Sequence, residues 1–321
     1  MSINVKNISY SYDTYSFQEC DKKTLPFKLK ALDNVSFTIH ENEFVGIIGD
    51  NGSGKTTLIK HFNGLLMPDS GEIKVDGLHT KENKVKKLIG MLFQRPQNQI
   101  FSETVYEDII FGLKKDISLK DYIYSVSNIN IKSSLFRGQS NQNNLRFLSA
   151  YNFTHNIQSK KEIEKQVYES LELVGLDKVI LDKNPFKLSG GTIRLVALAG
   201  ILILKPKYII LDEPITGLDF SFKQQLISIL KKIHKCKENK IGIIMVSHNI
   251  KDLLELSDTI ILMEHGKIKF KGTPSEYLHS IQNPIPIINK LLRDIKKRGF
   301  SIQDNIYTVD DAIDEIKSII I

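Results

Sequence analysis

The sequence predicts an α/β protein in which helices pack against a parallel β-sheet. Two short apolar runs rich in isoleucine, residues 208–211 and 241–246, have the composition of strands that are buried on both faces. A helical stretch precedes each run, and a third apolar run at residues 44–48 leads through a glycine turn into another helix. Because alternating strands and helices form parallel sheets, we expect these three runs to be strands of such a sheet.

Further strands are expected in the N-terminal part of the chain. Residues 3–10 and 35–39 alternate apolar and polar side chains, as strands with one buried face do. They indicate an antiparallel β subdomain beside the parallel core. Two shorter strands are predicted at residues 71–75 and 90–93.

A helical segment begins at about residue 160 and is predicted to end at Gly175. Its apolar residues share one face of the helix: Ile163, Val167, Leu171 and Val174. The preceding residues, 117–160, are rich in Asn, Ser and Gln and show no sustained period. We interpret them as an inserted loop that is partly disordered.

The tail, residues 276–321, is predicted to form a small α-helical module. One helix is expected to end at Gly299 and has an apolar face formed by Ile288, Leu291, Leu292 and Ile295. A second helix is expected to begin at Thr308, because Thr308 and Asp311 have the spacing of a capping box.

Composition excludes several classes of protein. Of the 321 residues 41% are apolar and 25% are charged, which is typical of a globular protein and not of a disordered one. The two cysteines, Cys20 and Cys236, are far apart, so we expect neither a disulfide framework nor a cysteine-rich metal site. We expect no export signal, and no run approaches the roughly 18 apolar residues that span a bilayer. The net charge of +7 comes from lysines spread along the chain, which we interpret as solvated surface.

The glycine turn after residues 44–48 matches the pattern G-x-x-x-x-G-K-[ST] between a predicted strand and a predicted helix. Such a loop lets backbone N–H groups converge on phosphate oxygens, and the positive end of the helix adds to the attraction. In this pattern Lys55 reaches the β- and γ-phosphates and Thr56 binds Mg²⁺. The sequence therefore predicts a P-loop NTPase core. The residues expected to bind the nucleotide are Gly49, Asp50, Asn51, Gly52, Ser53, Gly54, Lys55, Thr56 and Thr57.

Two acidic residues, Asp212 and Glu213, follow the predicted buried strand at residues 208–211. One of the two carboxylates can hold Mg²⁺ while its neighbour orients or deprotonates an attacking water. An acidic pair that only capped a helix would not need four apolar residues before it.

A second anion-binding loop is predicted at Ser189, Gly190 and Gly191, which open an apolar helix. One chain rarely needs two such loops for one nucleotide. A dimer in which each chain presents its second loop to the partner's nucleotide explains both.

The order and spacing of these features resemble the ATP-binding cassette ATPases. LSGG at residues 188–191 is followed, after 19 intervening residues, by LDEP at residues 211–214. The resemblance covers about residues 1–275 and implies ATP with Mg²⁺ as the bound nucleotide. It also implies a helical signature subdomain, at about residues 95–200, that includes the Asn-rich insert.

The resemblance implies a role for each residue that matches a family motif. The implied catalytic residues are Glu213 as general base, His248 as the switch histidine at the γ-phosphate, and Gln94 as the sensor of Mg²⁺ and water. The implied metal ligands are Thr56, Gln94 and Asp212. Asp219 matches the aspartate that crosses the dimer interface, and Tyr12 the aromatic that stacks on adenine, with Tyr10 as the second choice.

Longer segments narrow the resemblance to energy-coupling factor transporters, which import vitamins and metal ions. These segments are NGLLMPDSGEIKVDG, FQRPQNQIFSETVYEDIIFG and LAGILILKPKYIILDEP. LPFKLKALDNVSF and LDKNPFKLSGG are more similar to the second of the two ATPase paralogues in such systems, and the tail resembles their C-terminal dimerisation module.

This narrower resemblance implies a function and a set of partners. The chain would hydrolyse ATP at the cytoplasmic side of the cell membrane to power uptake of a vitamin or a transition-metal ion. Its partners would be a paralogous ATPase in a head-to-tail heterodimer, a transmembrane scaffold subunit and a substrate-binding membrane subunit, with no nucleic acid. Cobalt, nickel, biotin, riboflavin and folate all stay open as substrates.

Two other functions are less consistent with the sequence. Soluble cassette ATPases that act on DNA, RNA or ribosomes usually carry a second cassette, a long coiled coil or zinc-binding cysteines, and the sequence has none of these. A non-hydrolysing regulatory subunit is opposed by Glu213 and His248. Thr192 and Leu195 stand where the family usually has glutamine and a basic residue. Because of Thr192, we expect this chain's signature to serve its partner's nucleotide less well.

The resemblance also implies that residues 95–108, after Gln94, hold a helix of the scaffold in a groove. The expected apolar side consists of Ile100, Phe101, Val105 and Ile109. The expected acidic rim, which would meet arginines of the scaffold, consists of Glu103, Glu107 and Asp108. The alternative is that the apolar residues belong to the core of the helical subdomain.

Overall fold

The computed structural model describes residues 2–18, 23–113, 157–236, 240–280, 285–303 and 306–320. Contacts divide the chain into a larger unit, Met1–Gln94 with Pro206–Ile321, and a smaller unit, Arg95–Lys205. The predicted insert, residues 117–160, lies outside the described residues except for its last four. These four residues are the first turn of a helix.

The strands of the larger unit form two sheets. In chain order they are β1 Ser2–Gln18, β2 Lys23–His40, β3 Phe44–Ile48, β4 Ser70–Val75, β5 Leu78–His79, β6 Ile89–Leu92, β7 Tyr208–Asp212, β8 Gly242–Val246, β9 Thr259–Glu264 and β10 Lys267–Gly272. The first sheet has the order β2-β1-β4-β5 and is antiparallel, which confirms the predicted β subdomain. The predicted strands 3–10 and 35–39 are parts of a longer hairpin that pairs Ser2 with His40 and Gln18 with Lys23.

The second sheet has the order β10-β9-β3-β8-β7-β6, and its strands are parallel except for β10. The three apolar runs of the sequence are its adjacent central strands β3, β8 and β7, and every residue in them is buried. The prediction of a parallel α/β core is therefore confirmed. Because the strands are parallel, the residues that follow β3, β7 and β8 meet at one edge of the sheet.

The helices connect these strands and build the smaller unit. In chain order they are α1 Lys55–Phe62, α2 Asn83–Leu88, α3 Val105–Ile110, α4 Ile157–Leu173, α5 Gly190–Leu202, α6 Phe220–Lys235, α7 Ile250–Leu256, α8 Pro274–His279, α9 Ile287–Lys297 and α10 Val309–Ile320. Within the described part of the chain, none of them has the length and apolar character that crossing a bilayer requires.

One apolar core in the larger unit joins α1 to both sheets. Leu58, Ile59 and Phe62 of α1 are fully buried in a cluster that also contains Ile39 of β2 and Ile47 of β3. Burial of three large side chains from an eight-residue helix holds that helix far more firmly than its intrinsic propensity would. The position of its first turn, directly after the glycine loop, is therefore set by packing.

The smaller unit has its own core, in which the predicted helical face takes part. Val167, Leu171 and Val174 are buried, and Gly175 follows α4 with a φ of 68°. A left-handed residue at this place is the usual way for a helix to end. The helix prediction is therefore confirmed, with a start at Ile157.

The segment expected to form a groove contributes instead to the core of the smaller unit. Ile100, Val105 and Ile109 are at most 2% exposed. The subdomain-core alternative is therefore correct for these three residues, because apolar side chains that already pack in the core cannot line an open groove.

Asp108 was expected on an acidic rim, and this prediction is wrong. Its Oδ1 accepts hydrogen bonds from the backbone N–H groups of Phe101, at 3.1 Å, and Ser102, at 3.3 Å. Burial raises the pKa of the Asp108 carboxyl, and the two backbone hydrogen bonds oppose that rise. The side chain thus holds its own loop in place, and only Glu103 and Glu107 of the expected rim are exposed.

The C-terminal segment forms a small apolar core from α9, α10 and the loop between them. Its buried members are Leu292, Ile302, Ile306 and Ala312. Leu291, expected on the same face, is 48% exposed because it is rotated about 60° from Ile288 around the helix axis. The Thr308 hydroxyl accepts the N–H of Asp311 at 3.1 Å and donates to its carboxylate, so the predicted cap is confirmed.

His61 of α1 leads to a prediction about stability and pH. The ring is fully buried, and Nδ1 lies 2.7 Å from the carbonyl oxygen of Thr57, to which it donates in the neutral ring. Burial lowers the pKa of His61 from its ordinary value near 6.5. Below about pH 6.5 the unfolded chain therefore binds a proton at His61 that the folded chain does not bind. As a result, the free energy of unfolding falls as pH falls, by at most about 1.4 kcal/mol per pH unit.

We expect His61→Gln to remove this part of the acid sensitivity. The measurement is the free energy of unfolding in denaturant at pH 7.5 and pH 5.5, compared between the variant and the unchanged chain. His40→Gln is the control, because His40 is exposed. An unchanged difference between the two pH values in the His61 variant would contradict the prediction.

Candidate nucleotide-binding and catalytic site

The glycine-rich loop lies between the end of β3 at Ile48 and the start of α1 at Lys55. Gly54 has a φ of 101°, and a Cβ there would lie 2.5 Å from the carbonyl oxygen of Ala31. A Cβ on Gly49 would lie 2.2 Å from the carbonyl oxygen of Met263. Any larger residue would displace the backbone at both positions. The bare loop can therefore approach an anion closely with its N–H groups.

Lys55, the first residue of α1, is folded back into this loop. Its Nζ donates hydrogen bonds to the carbonyl oxygens of Gly49, at 2.7 Å, and Asp50, at 2.8 Å. The residue is only 5% exposed, and burial lowers the pKa of its ammonium group while nearby carboxylates, including those of Glu213 and Asp212, oppose that shift. The loop thus holds one positive charge at the place where phosphate would bind.

Thr56 and Asp212 face each other at the base of the loop. The Thr56 hydroxyl lies 3.4 Å from both carboxylate oxygens of Asp212, which is the last residue of β7. Burial and the neighbouring charge of Glu213 raise the pKa of Asp212 to about 6. A cation beside this carboxylate would relieve both effects, and hydroxyl and carboxylate oxygens are ligands that Mg²⁺ prefers. The residues present therefore fit a Mg²⁺ ion.

Glu213 is the centre of a hydrogen-bonded cluster. Its Oε2 accepts from Nε2 of Gln94 at 2.8 Å and from the hydroxyl of Thr216 at 3.4 Å, and its Oε1 contacts Nε2 of His248. Glu213 is in the left-handed region, with a φ of 50°, and donates its N–H to the Val246 carbonyl at 3.0 Å. A bulky residue in this conformation is strained, and such strain is concentrated at functional sites.

Comparison with known proteins identifies the family. The profile of the ABC transporter family matches residues 32–216. The energy-coupling factor transporter ATP-binding protein EcfA2 of Caldanaerobacter subterraneus subsp. tengcongensis is 37% identical, over 98% of this chain and 96% of that one. This chain belongs to the ABC transporter family.

Two further relatives agree with this assignment. EcfA2 of Clostridioides difficile is 36% identical to this ABC ATPase, over 100% of this chain and 98% of its own. The solved structure of cbiO1 from Clostridium perfringens, part of the cbiONQ ABC transporter complex, is 28% identical with a TM-score of 0.64. The match covers 92% of this chain and 96% of that one. The resemblance to energy-coupling factor ATPases is therefore confirmed, and ATPases of this family couple hydrolysis to transport.

The loop predicted as a second anion-binding site in this ABC ATPase opens α5 in the smaller unit. Ser189 is the N-cap, and its side chain accepts the N–H of Thr192 at 3.2 Å. The hydroxyl groups of Ser189 and Thr192 also lie 2.8 Å apart. Gly190 and Gly191 are the first two residues of the helix. Thr192, which stands where the family usually has glutamine, thus contacts the hydroxyl of Ser189 through both its backbone and its side chain.

Two further predicted site residues lie in the larger unit with the glycine loop. The hydroxyl of Tyr12 on β1 is 3.2 Å from that of Thr57, and its ring packs edge-on against Tyr10, with centroids 4.9 Å apart. Asp219 is the N-cap of α6 and accepts the N–H of Phe222 at 3.0 Å. Phe220, the next residue after Asp219, is 77% exposed.

The sequence reasoning missed Thr216, whose hydroxyl contacts the carboxylate of Glu213. A signal was present, because a hydroxyl three residues after an acidic residue in a turn is placed for such a bond. It also missed the left-handed backbone of Glu213, for which a single sequence carries no signal.

Proposed function

We propose that this ABC ATPase is the ATP-hydrolysing motor of an energy-coupling factor importer for a vitamin or a transition-metal ion. Two ATPase subunits would close on ATP in a head-to-tail dimer, and hydrolysis would reopen them. The observation that carries the proposal is the convergence of Gln94, Glu213 and His248 beside the glycine loop. Residues at this place can act on a water molecule next to a bound γ-phosphate.

Binding of ATP would begin with the glycine loop. Lys55 exchanges its hydrogen bonds to two loop carbonyls for bonds to the β- and γ-phosphates, while backbone N–H groups of residues 49–57 surround the phosphates. Thr56, Asp212 and Gln94 would hold Mg²⁺, which neutralises developing charge on the phosphates when bound. The hydroxyl of Tyr12 lies 3.2 Å from that of Thr57, next to the glycine loop. From this position its ring would stack on adenine.

Hydrolysis would depend on the carboxylate of Glu213. It orients the attacking water and accepts its proton, while the water oxygen bonds to the γ-phosphorus and the bond from that phosphorus to the bridging oxygen breaks. The products are ADP and inorganic phosphate. Before this step Glu213 must exchange at least one of its present donors, Gln94 or His248, for the water. His248 is then available to donate to the γ-phosphate.

Several predicted functional residues belong neither to the glycine loop nor to the cluster around Glu213, and they support a dimer. Ser189, Gly190 and Gly191 form a second helix N-terminus suited to phosphate, and Asp219 lies next to an exposed phenylalanine ring. In the C-terminal module, exposed apolar residues recur at four-residue spacing on both helices: Ile287, Leu291, Val309 and Ile313. These features suit contact with a paralogous ATPase, and we propose residues 276–321 as the dimerisation module of a cassette at residues 1–275.

The proposed partners at the membrane are a transmembrane scaffold and a substrate-binding subunit, with the chain peripheral at the cytoplasmic face. Support comes from the names of the relatives, since EcfA2 is a transporter protein and cbiO1 is part of the cbiONQ complex. With Asp108 held inside the smaller unit, Glu103 and Glu107 are the carboxylates left to meet arginines of the scaffold.

The function is tested by co-purification in mild detergent. We expect the unchanged chain to bring down an integral membrane protein and a second ATPase, and Glu103→Lys with Glu107→Lys to lose the membrane protein while keeping ATP binding. Glu162→Lys with Glu172→Lys is the matched control, because both glutamates are exposed in the same unit. Recovery of ribosomes or nucleic acid in place of membrane protein would overturn the proposed function.

A further inference from the structure

The two helices that follow the proposed interface aspartate and the switch histidine are joined by a partly buried ion pair. Nζ of Lys223 on α6 lies 2.7 Å from Oδ1 of Asp252 on α7. The Asp252 side chain is 3% exposed and that of Lys223 is 24% exposed. Lys223 and Asp252 belong to none of the sequence motifs described above.

The ion pair lies one helical turn from each functional residue. On α6, the N–H of Lys223 donates to the carbonyl oxygen of Asp219 at 3.0 Å. On α7, Asp252 is in the first turn, and the helix begins two residues after His248. A movement of either helix start would therefore reach the other through a single contact.

The turn that carries His248 is itself tied to α7. The N–H of Asn249 donates to the Ser247 hydroxyl at 3.0 Å, and the Asn249 side chain accepts the N–H of Lys251 at 3.1 Å. Ser247 in turn donates its N–H to the Ile47 carbonyl of β3 at 3.2 Å. The histidine therefore has little freedom to move independently of the start of α7.

Stability is a weak explanation for this ion pair. A buried pair loses hydration, and it is often replaceable by apolar side chains without loss of stability. Among the residues that the structure describes, Oδ2 of Asp252 is buried without a hydrogen-bond partner, which adds to the cost. The same two helices are already joined by Lys231 and Glu255, whose charged atoms are 2.8 Å apart.

We propose that Lys223 and Asp252 are positioning residues that fix the place of His248 beside Glu213 and couple that placement to Asp219. The inference rests on the proposed roles of His248 and Asp219 in ATP hydrolysis. In this arrangement, contact of a partner subunit with the start of α6 moves α7, and with it the imidazole that faces the γ-phosphate.

The test compares ion-pair variants in the purified complex with its partner subunits. Lys223→Met and Asp252→Asn break the pair, and Lys223→Met with Asp252→Leu replaces both charges by apolar groups that can pack. We expect all three to lower the single-turnover rate of ATP hydrolysis about tenfold or more, because small misplacements of a reacting group have effects of this size. The dissociation constant for ATP should stay within about twofold in each.

Lys231→Met is the matched control, because it breaks the other ion pair between the same helices. It should leave the single-turnover rate within about twofold of the unchanged complex. The melting temperature of each variant shows whether it is folded, and the apolar double variant guards against loss of folding from an unpaired buried charge. A wild-type rate in that folded double variant would overturn the inference.

A double-mutant cycle with His248→Ala separates positioning from a general loss of activity. If Lys223 acts through His248, Lys223→Met should lower the rate no further when His248 is already alanine. Independent, multiplying effects would also overturn the inference. If His248→Ala alone leaves the rate unchanged, the proposed role of His248 in hydrolysis is wrong. The inference about the ion pair, which rests on that role, is then wrong as well.

Discussion

Replacing Glu213 with glutamine should leave ATP bound and slow its hydrolysis by about 10²- to 10⁴-fold, the usual contribution of a general base. Glutamine has the same shape, so its carbonyl oxygen can still accept the hydrogen bond from Gln94 that Glu213 accepts at 2.8 Å. What it loses is the ability to take a proton from water. The measurements are the single-turnover rate of hydrolysis and the dissociation constant of ATP in the purified complex.

Glu264→Gln is the matched control for this variant. Glu264 ends β9, another strand of the same sheet, and its carboxylate pairs with Lys269 at the surface. We expect this change to alter neither constant by more than about twofold, as is usual for a surface substitution. Wild-type turnover by Glu213→Gln would mean that another group receives the proton, and the assignment of Glu213 would be wrong.

Replacing Lys55 with alanine should weaken ATP binding itself by about 100-fold or more, because charge-assisted hydrogen bonds contribute about 1.5–3 kcal/mol each. The side chain is buried and already donates to two carbonyl oxygens of the loop, so its loss also leaves those carbonyls without their donor. Binding is measured by equilibrium titration with ATP and Mg²⁺.

Lys60→Ala provides the comparison, because Lys60 is on the same helix and only half-buried. It should bind ATP with nearly the affinity of the unchanged chain, since one further helical turn separates it from the loop. Equal losses in the two variants would indicate a general effect of positive charge rather than a phosphate contact by Lys55.

The glycine loop and its flanking elements could be predicted from sequence because their physics is local. A five-residue run with four apolar side chains, a set of glycines and a helix start determine backbone conformation within about ten residues of chain. The structure agrees there, with β3 at Phe44–Ile48 as predicted and α1 starting at Lys55, directly after the loop. The cap at Thr308 and the end of α4 at Gly175 were predictable for the same reason.

The catalytic cluster needed either a family resemblance or a structure. Gln94 and Glu213 are separated by 119 positions, and no local pattern joins them. Their contact arises because β6 and β7 are neighbours in the parallel sheet, so that the residues after each strand meet at one edge. Strand order is a property of the whole fold, since it depends on how all the helices pack.

Tertiary structure also determines the environment of residues whose sequence context is compatible with either a buried or an exposed position. Asp108 has the spacing of a rim carboxylate, but a loop seven residues before it needs hydrogen-bond acceptors, and its carboxylate supplies one. From sequence alone, Lys223 and Asp252 would be assigned as ordinary surface charges. Their ion pair becomes visible only in the structure, where α6 packs beside α7. The sequence by itself determined the helices, the strands and the glycine loop proposed to bind phosphate. The reason is that backbone conformation and hydrophobic periodicity depend on residues close together in the chain. Only the tertiary structure decided which charges meet, because a charge is paired or solvated according to what packs beside it.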